Sequence, residues 1–244
     1  MFKSKKNKIV FKALGPHLSA FSEPTPTSKV VPEWFKKLNK EVMDPDGRVV
    51  ISAKSCVPFL DAMTAGYVLT CPTDVAISAW GNPDNREWRA TWSIPTWAEP
   101  PEFIEGHSYE QLQGEPLVES GALPLKFRNF FSMTTPPGYS CLITPVLNDF
   151  SLANQGLNFY SAVVDTDIFK STINLPFSFS NFSGKEVFIP KGKPLVQVIP
   201  FKREGWEKEV AIMDPMEMLG NIMLLGSKFK DVYRDFMHKK KTYL

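Results

Sequence analysis

Two aspartates, Asp165 and Asp167, stand two positions apart in the run Val163-Val-Asp-Thr-Asp167. A carboxylate fixed at the end of a short apolar stretch can take a proton from an attacking water, which is general-base work. Two acids at i and i+2 are also a candidate ligand pair for a divalent cation such as Mg²⁺. The same residues form turns between strands, because their side-chain oxygens accept from nearby backbone amides. Lys170 follows and can offer a cation. Upstream, Pro136-Pro-Gly-Tyr-Ser140 presents the amides of Gly138 and Ser140, which can bind an anion, and reads first as a Pro-Gly turn.

Other chemistries find little support. His17, His107 and His238 are far apart and form no H-x-D or H-E-x-x-H pattern. There is no G-x-S-x-G elbow and no phosphate-binding P-loop. The series Trp80, Trp88, Trp92 and Trp97 can stack bases or sugars, but packing between strands is the simpler use.

Strands must position these residues. From Val49 the chain reads as short strands, through Arg48–Lys54, Cys56–Asp61, Ala65–Thr70 and Asp74–Trp80. Glu87-Trp-Arg-Ala-Thr-Trp92 alternates polar and apolar residues, the period of a half-buried strand. Gly81–Asn85 suits a hairpin turn before it. The stretch 95–124 is rich in Pro, Gly and Glu and reads as a loop or insertion packed by Trp97, Phe103 and Tyr109. Strands resume at Leu125–Phe131 and Tyr139–Thr144 and continue to Phe201.

Both ends differ from this middle. Val31-Pro-Glu-Trp-Phe-Lys-Lys-Leu38 predicts a short helix with Pro32 in its first turn and Trp34, Phe35 and Leu38 on one packed face. Near the other end, Asp214 is a helix cap, Pro215 suits the first helical position and Glu217 stands where a capping-box acid belongs. Phe229, Val232, Tyr233 and Phe236 follow as an apolar stripe, to be buried on the core or on a neighbouring subunit. Lys239–Lys241 then lie at the negative end of the helix dipole.

Composition bounds the possibilities. At 43% hydrophobic and 22% charged residues over 244 positions, the chain is an ordinary globular one. A net charge of +2 gives no global field for nucleic acid. Both termini are locally basic, which suits solvated ends and also a phosphate or anionic surface. Cys56, Cys71 and Cys141 form no C-x-x-C pair and read as buried free thiols in a reducing cytosol. No long apolar stretch follows the first lysines and no run of about 18 apolar residues occurs, so neither a signal peptide nor a membrane span is expected.

The segment Leu157–Arg203 resembles the trimeric dUTPase and dCTP deaminase superfamily, which has the β-clip fold. There a V-I-D-x-D-Y-x-G turn carries the catalytic carboxylate and an I-x-x-G-x-R-I-A-Q strand follows. Val163–Asp167 matches the first of these, aligning Asp165 with the residue that activates water in dUTPases. Gly192 and Gln197 match the second. Ala65, Gly66 and Leu69 are similar to the A-G-x-D-L motif, with Val68 in place of its aspartate. Pro136 aligns with the proline of P-R-S-G, whose Arg and Ser have no counterpart. Ile168 and Lys170 replace the aromatic and the glycine of the third motif, Leu175 stands at the glutamate of the deaminases, and no Gly-rich fifth motif follows. The whole chain also resembles uncharacterised proteins of bacteriophages and marine bacteria that open on P-x-W-F-K-x-L.

The resemblance implies a mostly β protein with a β-clip core, a distorted barrel over residues 49–203 with an insertion near 95–124. An N-terminal extension (1–48) and a C-terminal helical tail (204–244) flank it. It implies a homotrimer with pockets between subunits. Asp165 would be catalytic, and Gly66, Tyr67, Gly138, Ser140, Asp167, Lys170 and Gln197 would bind ligand. The missing phosphate-gripping residues point to a cytoplasmic protein that binds a nucleotide or small ligand without hydrolysing it. The alternatives are a structural or assembly protein of a virion and a Mg²⁺-dependent nucleotide hydrolase using Asp165.

Overall fold

The computed structural model describes residues 7–15, 23–82, 85–93, 102–227 and 233–241. Sixteen strands occur among them. In chain order the first eight are β1 (Val10–Ala13), β2 (Thr25–Pro26), β3 (Glu41–Met43), β4 (Val49–Ile51), β5 (Tyr67–Thr70), β6 (Val75–Asn82), β7 (Asn85–Trp92) and β8 (Ile104–Gly106). The others are β9 (Leu123–Phe127), β10 (Phe131–Thr134), β11 (Tyr139–Pro145), β12 (Leu157–Phe159), β13 (Ala162–Val164), β14 (Leu175–Phe179), β15 (Val187–Ile189) and β16 (Pro194–Lys202). Four α-helices accompany them: α1 (Glu33–Lys37), α2 (Val57–Thr64), α3 (Pro116–Glu119) and α4 (Pro215–Ser227).

Three antiparallel sheets wrap one apolar core, in the orders β13-β11-β16-β5-β2, β12-β14-β9-β8 and β15-β6-β7. The protein is mostly β, as the sequence predicts, with several small sheets and a helix towards the C-terminal end. Phe127, Phe159 and Phe177 meet at the centre with ring centroids 5.2–5.9 Å apart. Edge and offset contacts of this kind add to the burial of large rings. β7 alternates exposed and half-buried residues along its length, and Trp88 and Trp92 pack on the core, so these tryptophans do structural work. Trp80 instead donates through Nε1 to Glu87 at 3.1 Å. Trp97, Pro83 and Asp84 lie outside the described residues.

Several expectations change. Cys56–Asp61 is not a strand: Pro58 lies in the first turn of α2, and Met63 is its fully buried anchor. A proline at a helix start lacks only an amide that would be unbonded there anyway. The N-terminal segment is woven into the core rather than added to it, because β2 extends the five-stranded sheet beside β5 and β1 pairs with β10. The described part of the 95–124 stretch supplies β8, an edge strand on β9, with Phe103 and Ile104 buried beneath it. Asp214 caps α4 as predicted, accepting from the amides of Met216 (2.8 Å) and Glu217 (3.2 Å). Residues 215–223 of that helix are nevertheless exposed and rest on no core surface. Phe229, Val232 and the Phe236 side chain lie outside what is described.

Candidate functional site

The Asp165 turn is placed by sheet register. β13 pairs with β11, setting Val164 opposite Cys141, so the next residue along, Asp165, arrives beside Ser140. β16 pairs with the same strand from its other side, with Lys202 opposite Tyr139. Arg203 therefore emerges next to the Pro-Gly turn, where its amide donates to Gly138 O at 2.8 Å. Beneath the turn, the buried Thr166 hydroxyl meets Thr135 Oγ1 at 2.7 Å and Cys141 Sγ at 3.3 Å. Above it, the amides of Ile168 and Phe169 donate to Asp165 O. The turn is thus fixed from both sides.

Arg203 organises the polar groups. Its guanidinium forks onto Asp167, with Nη1 on Oδ1 at 2.9 Å and Nη2 on Oδ2. Nη1 also reaches Asp165 Oδ1 at 3.1 Å and Ser140 Oγ at 3.0 Å. The Gly138 amide donates to Asp167 Oδ2 at 2.8 Å. The Asp167 side chain is only 7% exposed. The Arg203 guanidinium, helped by that amide, holds its carboxyl down at about 2 despite the desolvation. Forked guanidinium–carboxylate pairs are strong because two charge-assisted bonds share one geometry.

Asp165 is the open member of the pair. Its side chain is 57% exposed, and Oδ1 accepts from the buried Ser140 hydroxyl at 2.7 Å. Among the described residues nothing donates to Oδ2. Beside it lies a shallow depression of about 540 Å³ lined by Val163, Val164, Asp165, Ile168, Phe169, Lys170 and Ser171. Val163, Ile168 and Phe169 expose apolar surface there. Lys170 stands at the rim and turns its ammonium back to the carbonyl of Asp167, so it does not fill the depression.

The expected binding residues divide into two groups. Gly138, Ser140, Asp165, Asp167 and Lys170 come together as described. Gly66, Tyr67 and Gln197 gather instead at the joint between α2 and β5, and their role there is structural. Gln197 is fully buried; its Nε2 donates to Ala62 O (2.9 Å) and Ala65 O (2.7 Å), and its Oε1 accepts from Leu147 N (3.0 Å). Both amide hydrogens are used and the side chain is sealed in the core, out of reach of a ligand. Gly66 has φ +64°, and a Cβ there would stand 2.0 Å from Val198 O. The residue is Gly because β16 passes too close for any side chain. Tyr67 packs edge-on against Phe11 with centroids 5.4 Å apart.

Arg203 is the member of this polar cluster that reading the sequence missed. Its partners lie 36 and 38 positions earlier, and only the pairing of β11 with β16 brings them together. The usable signal was the antiparallel register of two apolar runs, whose ends place Arg203 against Gly138.

The charges nearly balance within the chain. Arg203 is engaged by two carboxylates and by Tyr139 O, leaving no unengaged guanidinium to hold a polyphosphate here. Both Asp167 oxygens are engaged, so Asp165 Oδ2 is the carboxylate oxygen of the pair left open among the described residues. No cluster of three His, Cys, Asp or Glu suited to a metal occurs among the described residues.

No family model matches the chain, and no curated protein matches it. Among solved structures, the native dUTPase of EIAV aligns with 84% of this chain and 100% of its own, at 10% identity and a TM-score of 0.33. The dUTPase of phage phi11 of S. aureus aligns with 38% of this chain and 75% of its own, at 12% identity and a TM-score of 0.28. A mutant of that phage enzyme, described with a structural Mg(II) ion, covers the same shares at 11% identity and 0.29. Likenesses this loose leave the chemistry of the site to its own geometry.

Proposed function

We propose that this is a divergent dUTPase-like β-clip protein that binds a nucleotide or a similar small ligand at the Asp165 depression without hydrolysing it. The observation that carries the reading is the contrast within the aspartate pair. Asp167 is locked into structure by Arg203 and Gly138, while Asp165 keeps Oδ2 open at the edge of an apolar surface. A planar base or sugar suits Val163, Ile168 and Phe169, and a hydroxyl or amine donor on it suits Oδ2. Hydrolysis of a triphosphate asks for cations on the phosphates, and Arg203 is already neutralised by its own chain. The homotrimer and phage origin that the sequence resemblance implies belong to this proposal.

A thermal-shift series with nucleosides, nucleotides and deoxynucleotides, with and without Mg²⁺, tests it, since a ligand of the native state raises the melting temperature by mass action. The expected result is a shift that does not need Mg²⁺, with no product released, and that shrinks at least tenfold in affinity in Asp165→Ala. Turnover that Asp165→Asn abolishes would establish the hydrolase instead. No shift with any of these compounds would sink the binding reading and leave assembly. That second reading is favoured by the exposed apolar surface beyond Arg203.

A further inference from the structure

The chain changes sheets at Tyr160 and Ser161. After them β13 pairs with β11, and before them β12 pairs with β14. Carried one step back, the β11 register sets Thr144 beside Ser161, and their hydroxyls do meet at 3.0 Å. The next step would set Pro145 beside Tyr160. There the strands part, and Tyr160 N donates to Pro176 O of β14 at 3.0 Å.

The parting leaves a pocket of about 240 Å³ between the end of β11 and β12, closed by the loop 146–153 and the start of β16. Its walls are apolar, with Pro145, Val146, Leu152, Leu157, Phe159 and Leu195 among them. Leu157, Asn158 and Phe159 all line it, although successive residues of a strand face opposite ways. The pocket therefore meets β12 along its edge, where the backbone is.

That edge is unpaired. In an antiparallel pair, alternate residues turn their backbone groups to the partner strand. Tyr160 N donates to Pro176 O and Ser180 N to Gly156 O, so Leu157 and Phe159 face away from β14. Leu157 N is taken by Leu152 O at 3.0 Å. Among the described residues no strand takes the Leu157 carbonyl, the Phe159 N–H or the Phe159 carbonyl. Phe159 is only 7% exposed, and buried N–H groups in native proteins nearly always have a partner.

Size and charge narrow what fits. An apolar cavity of about 150 Å³ holds one benzene ring, so this one holds a single large side chain. Apolar surface continues beyond it. Phe150 on the loop is 64% exposed, and Trp34, whose Nε1 donates to Asn148 O at 3.0 Å, is 45% exposed. A ligand that also covers these rings is longer than one residue. The charges at the wall cancel, because Lys193 Nζ binds Asp149 Oδ2 at 3.2 Å and Ser151 Oγ at 2.6 Å.

We propose that an extended, uncharged segment of a partner protein adds to the free edge of β12 and places one apolar side chain in this pocket. A backbone carbonyl of the segment accepts from Phe159 N–H. Its N–H donates to the Leu157 or the Phe159 carbonyl, according to its direction. Backbone pairing of this kind supplies affinity, and the pocket selects the side chain. The surface is separate from the Asp165 depression and shares no lining residue with it.

Titration of the isotope-labelled full chain with blocked peptides, followed by amide resonances, tests this. The probes are acetyl-Val-Leu-Val-amide and acetyl-Val-Phe-Val-amide. Their controls are the N-methylated forms, acetyl-Gly-Gly-Gly-amide and acetyl-leucine methylamide. The expected result is that one of the two probes shifts the Phe159 amide and slows its exchange at least tenfold at saturation. Each control should bind at least tenfold more weakly. Ala153→Phe, at an exposed lining position, should fill the pocket and weaken binding at least tenfold while keeping the melting temperature. Phe150→Ala, which trims the exposed rim, serves if that variant does not fold. An unmoved Phe159 amide, or N-methylated or triglycine peptides that bind as well, would overturn the proposal. Equal binding of acetyl-leucine methylamide would overturn it too, in favour of a site for small free amides.

Discussion

Asp165 and Asp167 are two residues apart and do different work, and the difference comes from which oxygens Arg203 and Gly138 reach. Asp167 has its carboxyl held down at about 2 against an ordinary 3.8. A lowered folded value means the pair stabilises the fold fully above about 4, and this contribution is lost as pH falls through about 2. Melting temperature measured across that window should fall in the wild type, and Asp167→Asn should show a shallower fall, having lost the pair already at neutral pH. Asp61 and Asp149 are also held low, by Lys241 and His238 and by Ser151 and Lys193, so a residual acid limb remains in the variant. At the other polar cluster, Gln197→Leu keeps roughly the volume but takes the side-chain partner from Ala65 O and Leu147 N and one of two donors from Ala62 O. It should cost about 3 kcal/mol in urea unfolding, since each buried unpaired group carries a desolvation penalty. Gly66→Ala should be as damaging, because its Cβ meets a backbone carbonyl that cannot move aside.

At the scale of elements, the site is a junction of three strands. The turn after β13, the start of β11 and the end of β16 meet through one guanidinium. Arg203→Ala should leave the core intact while loosening that junction. Amide exchange at Gly138, whose N–H is bonded to Asp167, should speed up at least tenfold, with little change at Phe177 in the centre of β14. Parallel acceleration at both amides would mean that Arg203 supports the whole fold. The same junction shows where the sequence is legible. The Asp165 turn, the β7 alternation and the Asp214 cap are local patterns, carried by residues within a few positions, and each is found in the structure. Arg203 is not local, because strand pairing over long separations decides its neighbours. Cys56–Asp61 misleads because a short apolar run fits either period, and Pro58 served as a helix start rather than a strand break. Gly66 and Gln197 resemble binding residues by motif, yet their burial, which motif spelling does not encode, assigns them to packing.

At the scale of the molecule, the three sheets share a single core, so the buried thiols report on all of it. Cys71 lies between β5 and β6, fully buried, and burial pushes its thiol up to about 12. Cys141 lies in β11, is equally buried and is shifted upward for the same reason. Cys56 is exposed, and none of the three is in a disulfide. A thiolate is the reactive form, and reagents need access to it. An alkylating reagent should therefore label Cys56 alone in the native protein at neutral pH. Cys71 directly follows β5, Cys141 lies in β11 of the same sheet, and both join the same apolar cluster. If the sheets unfold as one cooperative unit, both should become labelled with a single rate that rises together with denaturant, and mass spectrometry should find them modified in the same molecules. Arg203→Ala should leave that shared rate almost unchanged, since it opens only the surface turn above Thr166. Gln197→Leu should raise both rates equally, because the Gln197 side chain ties Ala62 of α2 and Ala65 just after it to β16 within the core. Labelling of Cys141 well ahead of Cys71 would divide the molecule into two units, with β11 and the Asp165 turn belonging to the weaker one.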